Sequence, residues 1–229
     1  MAQSDLSPGD EPVQKNRSEG HEQPASTRIG IKHLMLYTLT CALYAAWLRF
    51  VLGEQAALVG LFPGALVVML AGLLLFGIIV LSARWLRRFG AIIEPGQWLL
   101  LGYGVALLLI MFAWTFIEPS SPIFYGVLPA FATGAVFVVG AWRMKRARAW
   151  RSALAVFALI ESVRPVLEQV TTPDIDPIEL APAADIVLAG LLAAAIIGDY
   201  RHQLRRTWLH WSGVVASCGL MALRWLGWV

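Results

Sequence analysis

From Ile29 onward the chain alternates long apolar stretches with short polar joints, and within each stretch the apolar residues run on continuously instead of alternating one by one. Continuous runs of this kind fit α-helices that cross the roughly 30 Å hydrocarbon core of a bilayer, which takes about 20 residues. The missing two-residue alternation excludes a β-barrel. The pattern predicts seven helices, at 33–52, 63–83, 97–117, 122–143, 150–170, 182–199 and 208–228. The second could begin at Ala56, but LFPG places Pro63 well as a first helical residue, where its missing N–H costs nothing. The expected fold is all-α: a polytopic membrane bundle of seven transmembrane helices.

Residues 1–29 break the pattern. MAQSDLSPGDEPVQKNRSEGHEQPASTR mixes both charge signs with Pro, Ser, Gly and Gln and holds no apolar cluster, so it predicts a disordered cytoplasmic tail ahead of a membrane domain at 30–229. The first apolar run lies too far from the start for a cleaved secretory signal, so the first helix reads as an uncleaved signal anchor. Composition agrees with the pattern: 58% hydrophobic and 14% charged residues are too apolar for a soluble domain.

Charge sets the expected orientation. Fifteen of the eighteen Lys and Arg residues fall on the side of the N-terminal tail, leaving Arg49, Arg164 and Arg224 elsewhere. The positive-inside rule then predicts the N-terminus in and the C-terminus out. The acidic residues Glu54, Glu118, Glu168, Asp174, Asp176, Glu179 and Asp185 fall on the far side. The tryptophans avoid the predicted helix centres, as indoles at a membrane interface do. The basic joints ARWLRR, AWRMKR and DYRHQLRR suit anionic inner-leaflet lipids, so the bilayer is the expected partner, with no nucleic acid. Their even spacing follows from any run of short hairpins and needs no internal repeat.

Small residues four apart let helices approach closely in lipid. Gly126, Ala130 and Gly134 mark the fourth helix and Gly190, Ala194 and Gly198 the sixth as expected central helices, with Pro129 expected to bend the fourth. Cys41 and Cys218 read as small packing residues.

The stretch ALIESVRPVL, 158–167, carries the candidate chemistry. Glu161 and Arg164 stand one turn apart on one face, which favours an internal ion pair, and a charge near the membrane centre costs about 2.5–3.5 kcal/mol. Pro165 cannot donate to the carbonyl of Glu161. One turn thus offers a carboxyl, a free carbonyl, the Ser162 hydroxyl and a guanidinium, the groups of an ion or polar-ligand site or of a structural lock. Arg49 and Arg224 reach the same outer half, either as anion contacts or toward the headgroups. Asp185, soon after Pro182, suits a helix N-terminus, and Asp199 closes the same helix. The loop 171–181, TTPDIDPIELA, lacks the glycine and oxygen spacing of a calcium site.

Other chemistries find no residues. No lysine lies in a span to form a Schiff base, and GxSxG, HExxH and paired membrane aspartates are absent. His33, His202 and His210 gather at the inner face, which does not suit a bis-histidine haem, and GYG at 102–104 lacks the context of a potassium filter. No metal, cofactor or enzymatic activity is expected.

IGIKHLMLYTL, residues 29–39, resembles the opening of the first membrane helix in uncharacterised bacterial polytopic inner-membrane proteins that carry a polar N-terminal tail and a basic-His-Leu-Met start. The resemblance implies location in a cytoplasmic membrane and topology, and it carries over no activity. Two functions stay open: a protein that binds or moves a small polar solute or ion at Glu161, Ser162 and Arg164, and a non-catalytic scaffold or assembly factor in which the charges are structural.

Overall fold

The computed structural model describes residues 30–52, 61–87, 94–117, 126–144, 147–170 and 177–226. The expectations for the tail and for most of the 171–181 loop fall outside these. Among these residues seven helices coincide with the seven apolar stretches: α1 Ile31–Leu52, α2 Leu61–Arg87, α3 Pro95–Phe116, α4 Leu128–Arg143, α5 Arg148–Val170, α6 Pro177–Arg201 and α7 Trp208–Trp225. Within them Ile31–Leu52, Gly64–Leu86, Pro95–Phe116 and Ala183–Arg201 are long and apolar enough to cross a membrane. α4 is apolar but shorter. α5 is diluted by Arg148, Arg151, Glu161 and Arg164, and α7 by His210, Ser212, Ser217 and Arg224.

Five helices close a ring in the order α3, α4, α5, α6, α7 and back to α3; α2 packs outside α3 and α7, and α1 packs on α2. The ring interior is filled by Phe137, Leu154, Phe157, Leu188 and Leu192, each at most 1% exposed, while Leu100 of α3, equally buried, faces Gly77 of α2. Phe137 stacks edge-on against both Tyr103 and Phe157, with ring centres 5.4 and 5.9 Å apart. Outward faces are equally apolar: Leu34, Phe112, Val138, Leu159, Ile186 and Val215 are all exposed. A surface as apolar as the core is what a lipid-facing bundle presents, and it leaves close packing to hold the helices together.

That packing is tightest where α3 crosses α7. A Cβ on Gly213 would lie 1.7 Å from the Gly96 carbonyl oxygen, and one on Gly96 would lie 2.0 Å from that of His210. Only two glycines allow the backbones so near each other. The fourth-helix stripe serves a similar end, because Gly134 faces α5 with no room for a methyl group. The sixth-helix stripe does not: no atom stands within 4 Å of a Cβ on Gly190, and Ala194 is exposed. In α6, then, Gly190 and Ala194 face outward while a Cβ on Gly198 would lie 4.0 Å from that of Ala149 on α5, and spacing along one helix does not say which face meets a neighbour. Pro129 also differs from expectation. It sits in the first turn of α4, after a π-helical turn at 126–127, where its lost N–H breaks no α-helical bond.

Candidate functional site

Every ring helix sends a polar side chain to one level of the bundle. Counting from Arg148 at 1.5 Å per residue, Glu161 lies about 20 Å along α5. It is 6% exposed. Its carboxylate accepts two hydrogen bonds from Arg224 of α7, Nη1 to Oε1 at 2.8 Å and Nη2 to Oε2 at 3.2 Å. The Tyr103 hydroxyl of α3 donates to Oε1 at 2.9 Å. The Arg224 guanidinium stands 5.9 Å from the centre of the Tyr103 ring, adding a cation–π contact.

Arg164, one turn beyond Glu161, reaches across to α6, where its Nη1 donates to Asp185 Oδ1 at 3.2 Å. Asp185 also lies 3.6 Å from Arg224. The charges thus alternate, Arg164, Asp185, Arg224, Glu161, over three helices and end on the Tyr103 hydroxyl. The expected Glu161–Arg164 pair is replaced by two pairs across helices. Geometry explains the choice: a facing helix presents both guanidinium nitrogens to one carboxylate, and parallel N–H bonds of this kind are the stronger arrangement.

The structure separates some residues that the sequence grouped. Ser162 points to α4, where a Cβ on Gly134 would lie 2.0 Å from its Oγ, so the hydroxyl belongs to the helix contact. Arg49 is exposed in the last turn of α1, a helix that packs on α2 outside the ring. Arg224, expected as an anion contact, is the counterion of Glu161. Asp185 is not a helix-dipole residue, because α6 begins at Pro177, two turns earlier. It is buried and ion-paired.

Beside the charges lies a cavity of about 310 Å³. Tyr103, Thr133, Glu161, Arg164 and Arg224 form its polar wall, and Ala106, Ile110, Pro129, Ala130 and Pro165 its apolar wall. An apolar cavity of about 170 Å³ lies on the far side of Tyr103 and Arg224, against Leu70, Leu74 and Leu107. Tyr103 had one signal in the sequence, the glycines on either side of it. Gly102 meets Phe137 of α4 and Gly104 meets Ile78 of α2, so α3 is wedged between two helices where its tyrosine turns inward.

A second polar cluster closes the other end of the ring. Arg206 donates to both oxygens of Asp199, at 2.7 and 2.8 Å, and Trp150 Nε1 donates to Oδ2 at 3.0 Å. Glu94 accepts the backbone N–H and the hydroxyl of Thr207, tying the start of α3 to the start of α7. His210 is fully buried there, its Nδ1 accepting the Gly96 N–H at 2.9 Å. Trp98 and Trp150, in the first turns of α3 and α5, are buried as well, so these two indoles pack against protein at the helix ends.

No protein-family model, curated protein or solved structure matches this chain.

Proposed function

We propose that this chain is a seven-span protein of a bacterial-type cytoplasmic membrane, N-terminus in and C-terminus out, that binds or carries a small polar solute or ion in the Tyr103–Glu161–Arg224 cavity. The observation that carries the reading is the coincidence of four alternating charges with a cavity of about 310 Å³ inside an otherwise apolar ring. Charges at membrane depth are costly, and where they border a cavity they favour a ligand or ion site. The basic joints at 83–88, 141–146 and 199–206 support the orientation and contact with anionic inner-leaflet lipids.

The ring interior below the cavity is closed by Phe137, Leu154, Phe157 and Leu188 and then by the Asp199–Arg206 pair. On this reading the site is reached from the outer half, because the described residues below it are closely packed. Solute-dependent thermal stabilisation of the purified chain over a broad panel tests the reading, with stabilisation by at least one solute expected and none at any concentration contradicting it.

A second reading has its own support, since the four charges satisfy one another without a ligand. In that reading the network is a lock and the chain is a non-catalytic scaffold or assembly factor. Crosslinking that recovers a stoichiometric partner would favour it.

A further inference from the structure

We infer that the solute is a small monoanion with an apolar part, of the class of short-chain carboxylates; this deepens the binding reading and rests on it. The charges are not shared evenly by the cavity. Among the described residues its wall carries two guanidinium groups, Arg164 and Arg224, and one carboxylate, Glu161. The fourth charge, Asp185, stands behind them and lines a separate groove between α6 and α7 with Ile186, Cys218 and Met221. Among the described residues the four charges balance, while those that line the cavity carry one positive charge more than negative.

Hydrogen bonding points the same way. Glu161 Oε1 accepts from Tyr103 and Arg224, and Oε2 accepts from Arg224. Three of its roughly four acceptor positions are thereby used, which leaves little for an incoming ammonium group. A carboxylate meets donors instead, the guanidinium groups of Arg164 and Arg224, while the Thr133 hydroxyl already donates to the Pro129 carbonyl at 2.8 Å. Opposite them, Ala106, Ile110 and Ala130 suit a hydrocarbon portion. The volume lies at the low end of small-molecule sites, about 300 to 1,000 Å³, so the ligand has only a few carbons.

Thermal unfolding of the full chain in detergent, at constant ionic strength, tests this with butyrate and benzoate as anions, butylammonium as the cation and butyramide as the neutral isostere. Butyrate or benzoate raises Tm with the logarithm of concentration, by about 5–10 °C at a hundredfold excess over Kd, and the other two leave it unchanged. Equal stabilisation by butylammonium or butyramide, or stabilisation by some other solute class and not by the carboxylates, overturns the anion assignment and leaves the binding reading standing. No stabilisation by these four or by a broad panel of amino acids, sugars and inorganic ions overturns both. The double variant Arg164→Gln/Asp185→Asn removes a cavity cation together with the carboxylate it is paired to, and leaves Arg224 held by Glu161. It loses the butyrate shift; an undiminished shift places the ligand elsewhere.

Discussion

Arg224 holds Glu161 with two parallel hydrogen bonds, although Arg164 stands one turn from that carboxylate on the same helix. The pair joins α5 to α7, and with Tyr103 and Asp185 it draws in α3 and α6. Glu161→Gln leaves Arg224 buried without its main counterion, and breaking one side of a buried pair costs about 3–5 kcal/mol. Membrane accumulation and detergent Tm are both expected to fall well below wild type. Adding Arg224→Met is expected to recover most of the loss, because removing both charges leaves neither unpaired.

Partner choice is measurable on its own. A double-mutant cycle between Glu161→Gln and Arg224→Gln is expected to give a coupling of about 1–3 kcal/mol, in the range of residues that share a network. The corresponding cycle between Glu161→Gln and Arg164→Gln is expected to give a clearly smaller value. A reversed order would restore the same-helix pair.

The α3–α7 crossing predicts a contrast between glycines. Gly213→Ala drives a methyl group into the Gly96 carbonyl and is expected to cost about 3 kcal/mol or more, since neither backbone can move aside alone. Gly190→Ala meets open space and is expected to be neutral or to stabilise by up to about 1 kcal/mol from helix propensity. Thermal unfolding of the two variants side by side checks the contrast.

At the end of the ring away from the cavity, Arg206→Gln removes both bonds to Asp199 Oδ1 and Oδ2 and leaves a carboxylate that is only 5% exposed. A loss of about 3 kcal/mol is expected. Trp150→Phe keeps the ring and removes one donor to a charged acceptor, for an expected loss of about 1.5–3 kcal/mol. Proteolysis or thermal unfolding in detergent reads both.

The helices were legible in the sequence because a continuous apolar run is a local property, and each expected stretch overlaps a helix, though α4 starts later and α6 earlier than expected. Glu161 and Arg164 stood out for the same reason, as charges inside such a run. Their partners did not, because Asp185 and Arg224 come from helices whose rotation is set by packing far away in sequence. Asp185 was read as a first-turn residue from the position of Pro182, while α6 starts earlier. Gly190 and Gly134 have the same local pattern of small residues, yet one faces outward and the other meets Ser162. Thr133 is an ordinary member of an apolar helix until the ring closes around it, and Tyr103 is marked only by its flanking glycines.

The central claim is that the cavity beside Glu161 and Arg224 is wet and opens to the side opposite the N-terminus. Ala130→Cys, on the apolar wall, in a Cys41→Ala/Cys218→Ala background, tests it with a membrane-impermeant maleimide applied to intact cells and to inverted vesicles. Only a thiolate in contact with water reacts. Modification in intact cells, and little in inverted vesicles, is the expected result. A thiol that reacts from neither side, or only in inverted vesicles, would contradict the account.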